Sequence, residues 1–289
     1  MFTRPSDVSV AFTTAEKLLF GIGAVLCYGI WHALTTWLGL PAYARVSGSL
    51  MTQPVIGWVL VIVGIPVISV LISLLVGRVR CEAGLFCCAI GLITLPSHGG
   101  DIRNVLLDTG SAAIYTSLAI ESAVLGVVWI GTSWIVDRLA GSGIVAEPVP
   151  TDDPDTLGDC LTAVALQALA TLVLLMLLCQ SPLKGQTLAS VCLASLIAST
   201  FIHQSYVVRG SVWYIAGTML AGVIAYLYTG MFNPAGYLIG DVRGLLAGAA
   251  RPLPLHYATM GVAGAIFGYW TSVVWHTAKK AKAIEAEAA

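Results

Sequence analysis

Apolar residues run along this chain in blocks of about twenty, each closed off by a short polar turn. The long blocks are Leu18 to Leu38, Val55 to Val76, Ser111 to Val136, Cys160 to Leu178, Thr187 to Ile202, Val212 to Phe232 and Leu255 to Thr277. At about 1.5 Å of rise per helical residue, such a block matches the roughly 30 Å hydrocarbon layer of a bilayer. One further run, Ala83 to Leu95, is shorter; it is read as a thin span, with a re-entrant or interfacial segment as the alternatives. The pattern predicts an all-α, polytopic transmembrane helical bundle of about eight spans, or seven if residues 83–95 do not cross.

The polar positions punctuate this pattern. Pro54 suits a helix start, and Pro66 removes a backbone donor inside the second span, which predicts a kink there. Asp101 is placed to cap a short helix near 101–108, in which Ile102, Val105 and Leu106 share one face; this predicts an amphipathic helix along the membrane surface. Residues 139–158 are rich in Gly, Pro and acids and lack apolar periodicity, so they read as a linker. It divides one membrane domain into a first half, 1–138, and a second half, 159–278, of four spans each, followed by a charged tail, 279–289. The first block is too long for a signal-peptide core, despite the small residues Ala42 and Ala44, and is read as an uncleaved span.

Composition agrees with a bilayer as solvent. Apolar residues make up 57% and charged residues only 10% of the chain, against about 25% charged in soluble domains. Fourteen basic and fifteen acidic residues leave a net charge of -1 and no basic stripe, so nucleic acid is not an expected partner; membrane lipids and other membrane subunits are. The seven cysteines are odd in number and sit mostly inside apolar runs, where thiols pack as small hydrophobes. With eight spans, Arg4, Lys17, Arg78, Arg80, Arg138, Arg209, Lys279, Lys280 and Lys282 share one side, whereas Arg45, Arg103, Lys184, Arg243 and Arg251 share the other. Nine against five predicts both termini on the cytoplasmic side of the cytoplasmic membrane.

Small residues recur at helical spacing. Gly264 and Gly268 form a GxxxG pair with Gly261 just before it; Ser190, Ala194 and Ala198 form a second stripe, and Gly217 with Ala221 a third. Such stripes predict close helix packing, here within the chain. Trp31, Trp37, Tyr43, Trp134, Trp213, Tyr214, Trp270 and Trp275 lie near run ends and are read as interfacial belts.

One residue stands out as candidate chemistry. Glu121 lies about 14 Å inside its block, near the bilayer midplane, where a carboxylate facing lipid is strongly disfavoured. It must turn toward other helices, reach water or carry a proton. His32, with Tyr28 one turn away, and Gln167 lie at comparable depth and are the expected partners, making Glu121, His32, Gln167 and Tyr28 the candidate coupling residues. His98, Asp101 and His256 share the second side but lack ligand spacing, so no metal and no cofactor is expected. No GxSxG, HExxH, Walker loop or dinucleotide fingerprint occurs, and no catalytic residue is assigned.

Asn233-Pro234-Ala235 resembles the asparagine-proline-alanine signature of aquaporins, which carry it twice; here a second copy is absent, and a helix cap followed by proline accounts for it equally. The sequence thus reads as a non-enzymatic bundle, a structural or assembly subunit. A small secondary transporter using Glu121 is the alternative, and a headgroup-modifying enzyme built on loop residues such as His98, Asp101, Arg103 and Asp108 a second one.

Overall fold

The computed structural model describes residues 14–37, 55–77, 79–109, 113–143, 156–232 and 248–288. Most of the 139–158 linker, the Asn233–Ala235 triplet and Tyr43 lie outside the described residues. All regular structure among the described residues is helical. The helices are α1 (Thr14–Trp37), α2 (Val55–Val76), α3 (Ala83–Gly91), α4 (Thr94–His98), α5 (Ile102–Thr109), α6 (Ala113–Gly141), α7 (Leu157–Leu178), α8 (Lys184–Ser205) and α9 (Val212–Phe232). After a 3-10 turn at Gly248–Ala250, the last segment is built from a turn at Pro254–His256, a π-helical stretch at Tyr257–Gly261 and α10 (Val262–Ala288).

Six of these, α1, α2, α6, α7, α8 and α9, are long and apolar enough to cross a membrane. Helix α2 shows why the bundle needs lipid around it. Val61, Ile65, Ile68, Ile72 and Val76 are buried, yet Ile56, Val59, Val63, Val67, Leu71 and Leu74 on the other side are exposed. A helix apolar on every face, with one face unpartnered, fits a hydrocarbon solvent and no aqueous one. It continues through Pro66 as a single helix. The molecule is therefore an integral membrane helical bundle.

The short third run is the interior of one half. Helix α3 is buried on nearly every side by α1, α2 and α10, and α4 extends it to residue 98, about 24 Å in all. Its beginning meets Trp270 near the far end of the last segment, and its end meets Lys184 at the start of α8. A run enclosed by protein needs neither the length nor the uniform greasiness of one that faces lipid. Small residues allow this enclosure: a Cβ at Gly91 would stand 2.6 Å from the Cys27 backbone, and one at Gly84 would collide with Ser73. Helix α5 follows as the amphipathic element: Asp101 Oδ1 accepts the Asn104 amide at 3.2 Å as its cap, Ile102, Val105 and Leu106 are buried, and Arg103 faces out.

Helices α6 and α9 pack antiparallel, in a register read from glycines on both: Gly230 faces Tyr115, Gly222 faces Ser122 and Gly126 faces Met219. The last segment crosses between the halves, packing on α8, α9 and α3. The small-residue stripes lie at these seams. A Cβ at Gly264 would strike the Cys192 carbonyl oxygen, one at Gly268 that of Leu196, and one at Gly261 would touch Thr218 and Val191 at 3.0 Å, fixing α10 on α8. A Cβ at Gly217 would stand 2.5 Å from the Gln167 side chain; Ser190 Oγ donates to the Leu178 carbonyl at 3.1 Å; Ala194, Ala198 and Ala221 are buried.

The aromatic belt needs correction. Trp37, Trp134 and Trp275 are exposed, as interfacial residues would be, but Trp31, Tyr214 and Trp270 are buried. The Trp31 ring is packed against Gly64, whose missing side chain makes room for it. Nearness to a run end does not say which way a ring points; the neighbour's small residue does.

Candidate functional site

Glu121 is wholly buried on the α6 face that meets α9. Its surroundings follow from the register: Ser122 beside it, itself opposite Gly222, and Tyr226 one turn further along α9, close enough for its hydroxyl and the acid to interact electrostatically. Tyr257, from the π-helical stretch, closes the pocket side of Gly222, its ring carbons 3.2 Å from where a Cβ would stand.

Two phenols hold an irregular backbone over this point. Residues 248–259 are all buried, although 248–253 are not α-helical. Such backbone survives in a membrane protein only where other protein, or a cavity, satisfies its carbonyls. Here the Tyr226 hydroxyl donates to the Pro252 carbonyl and the Tyr257 hydroxyl to the Ala249 carbonyl at 2.6 Å, with the two rings edge to face at 6.4 Å. Because the single Tyr226 hydrogen is committed to Pro252, its oxygen can only accept from any further partner. Arg251 Nη1 donates to the Cys179 carbonyl at 2.6 Å, and the Leu253 amide donates to His256 Nδ1 at 3.0 Å. Arg251 is thus a buried residue and not the loop cation that the sequence suggests.

The expected partners of Glu121 are elsewhere. Tyr28 and His32 stack on each other at 6.0 Å on an exposed face of α1, and His32 continues to His98, also at 6.0 Å. Gln167 is buried, but its amide donates to Thr218 Oγ1 at 3.1 Å, Thr171 Oγ1 at 3.4 Å and the Ser195 carbonyl at 3.4 Å, joining α7, α8 and α9. Comparable depth placed these residues together in the sequence; the direction each helix face takes separates them. Tyr226, a residue of an apolar run like any other, stands where they were expected.

His98, Asp101 and His256 are each engaged separately. Asp101 is engaged with the Asn104 amide and lies 3.9 Å from Arg103, His98 is exposed beside His32, and His256 is buried in the last segment. Among the described residues, no three His, Cys, Asp or Glu side chains are placed to share a metal ion.

A constellation that sequence reasoning left unassigned lies near the face from which α1 starts. His203 Nδ1 and Ser272 Oγ are 2.7 Å apart, and Gln204 Nε2 donates to Ser272 Oγ at 2.7 Å and to the Ser272 carbonyl at 3.1 Å. Tyr269 and His276 stand edge-on to the His203 ring at 4.9 and 5.5 Å. A serine within hydrogen-bond reach of a histidine is the first requirement of an activated nucleophile. Ser272 is fully buried, however, and the pair bridges α8 to α10 directly beyond Gly268. It works as a clamp. The signal was available: Gly264, Gly268 and Ser272 continue one stripe at four-residue spacing.

On the same face, Trp270 Nε1 donates to buried Glu82 Oε2 at 3.3 Å while Arg80 lies 5.6 Å over the indole ring. Asp137 is close enough to Glu82 and Arg209 to feel both charges. Compared with protein-family models, with curated proteins and with solved structures, the chain matches none of them.

Proposed function

We propose that this chain is a non-enzymatic integral membrane protein, a structural or assembly subunit whose polar interior holds helices in register. The observation that carries the reading is the complete burial of Glu121, beside buried Ser122 and within electrostatic reach of Tyr226 on α9. An intramembrane acid that works on a solute needs a wet approach, whereas one that organises packing is dry and enclosed. Lipids are its solvent, and other membrane subunits are the expected partners. Lys17, Arg80, Arg138, Arg209 and Lys279 lie toward the face from which α1 starts, against Arg103, Lys184 and Arg251 at the other, which supports termini in the cytoplasm.

The test is thiol accessibility. Leu118 and Leu125 flank Glu121 on the same buried face of α6. Leu118→Cys and Leu125→Cys should stay unreactive toward a membrane-impermeant maleimide applied from either side of sealed vesicles; labelling from one side would overturn the dry reading.

A second reading, a small secondary transporter, is favoured by one observation: the buried, non-helical backbone at 248–253 beside an intramembrane acid is the kind of helix break from which transporter sites are made. On that reading Glu121→Gln keeps the fold and removes ion-dependent flux in reconstituted vesicles, and flux equal to the unsubstituted protein rules it out.

A further inference from the structure

On the face opposite the start of α1, two buried donors have no acceptor among the described residues. The Leu253 amide donates to His256 Nδ1, and a ring nitrogen that accepts carries no hydrogen in neutral imidazole, so the hydrogen sits on Nε2. Nε2 therefore faces away from its own turn, is buried in a residue only 1% exposed, and has no acceptor among the described residues. Arg251 repeats the pattern, with Nη1 spent on the Cys179 carbonyl and a buried Nε–H that no described residue accepts. Buried donors left in this state cost stability until an acceptor arrives.

Both residues border the turn between α7 and α8. Arg251 grips its first residue, Cys179; Lys184, the first residue of α8, is near enough to His256 for its charge to act on the ring. The half-buried Lys184 ammonium has spent one donor on the Ser97 carbonyl, at 3.3 Å. Helix α8 itself starts at Leu183, whose side chain cannot cap it, so its first-turn amides add to the positive end of a 22-residue helix. Among the described residues, no carboxylate pairs with Lys184 or Arg251.

We propose that this corner, where the α7–α8 turn meets Arg251–His256, binds an anion of the phosphate class, with His256 Nε2–H, Arg251 Nε–H and Lys184 Nζ as its donors. A phosphate group offers oxygens in several directions to donors from separate elements, and arginine, lysine and helix N-termini are its usual protein partners. The position at the start of a span puts the site at the level of lipid headgroups, so a headgroup phosphate and a free phosphate are the two sources. The proposal goes beyond the structural reading and makes no use of Glu121.

Purified full-length protein in lipid-free detergent is titrated with inorganic phosphate, with phosphatidylglycerol and with a neutral galactolipid, following the thermal unfolding midpoint. Phosphate or phosphatidylglycerol raises the midpoint in a saturable way and the galactolipid does not. A response to both ligands assigns a site open to free anions, and a response to phosphatidylglycerol alone assigns a headgroup site. His256→Asn keeps an oxygen to accept the Leu253 amide but removes the distal donor, and Lys184→Gln removes the rim charge. Each weakens the apparent affinity about tenfold, the effect of losing one hydrogen bond to a charged group. Equal responses to all three additives, no response to either phosphate compound, or unchanged affinity in both variants would overturn the proposal.

Discussion

The two ends of this bundle treat their buried polar groups differently. Near the face where α1 begins, Ser272 is met by His203 and Gln204, and Glu82 takes the Trp270 indole on one carboxylate oxygen, so that its other oxygen, an acceptor, is left over among the described residues. At the opposite face, the Arg251–His256 segment is fixed by its own bonds to Cys179 and Leu253 yet keeps two donors that no described residue accepts. A polar group that spends itself on a neighbouring helix adds to the fold and is finished. One held rigidly in place with a donor to spare is prepared for something that arrives later.

The comparison is broken most severely through the seam that both ends share. Gly268→Leu should destabilise the protein by about 3 kcal/mol or more, because the Leu196 carbonyl and Ser199 Cβ are backbone-fixed obstacles; the unfolding midpoint in detergent measures it, and near-neutral behaviour would mean that α8 and α10 are not so closely docked. Ser272→Ala comes next, at about 2 kcal/mol, since it leaves the buried His203 Nδ1 without its hydroxyl partner and reduces the Gln204 amide to its bond with the Ser272 carbonyl. His203→Ala combined with Ser272→Ala should cost less than the sum of the two single changes, a double-mutant cycle that identifies a shared clamp.

Smaller effects sharpen the other end. Tyr226→Phe frees the Pro252 carbonyl and should cost about 1 kcal/mol, with hydrogen exchange rising in 248–253 while α8 stays protected. His256→Asn should cost less than about 0.5 kcal/mol without added anion, because no described residue accepts from the donor it removes. A loss as large as that of Ser272→Ala would place His256 among the packing residues and erase the contrast between the two ends.

Much of the architecture was readable from pattern alone because lipid imposes a length on every run that faces it. Six of the seven long runs, the capped amphipathic helix at 102–109 and the isolation of Glu121 among apolar residues all follow from counting; the seventh, Leu255 to Thr277, is not among the helices long and apolar enough to cross and opens instead in a turn and a π-helical stretch. The Ala83–His98 stretch was ambiguous for a physical reason: enclosed by α1, α2 and α10, it escapes the rule by which length is recognised. Small-residue stripes marked where helices approach but not which helix they meet. Continued one turn from Gly268, the same stripe leads to Ser272 and so to the His203 clamp.

The site was less legible. Depth along a helix is encoded in the sequence, so Glu121, His32 and Gln167 could be set at similar levels; azimuth depends on which neighbour packs where, and it turned His32 outward and Gln167 toward Thr218. By itself the sequence determined that this chain folds in lipid, as stacked helices with one deep acid, because apolar run length and charge scarcity are local properties. The tertiary structure alone decided that Tyr226 stands by that acid, that Trp31 and Trp270 are interior, and that Arg251 and His256 are buried with donors that no described residue accepts. Those facts belong to the angles at which helices meet, and residues far apart in the chain fix such angles jointly.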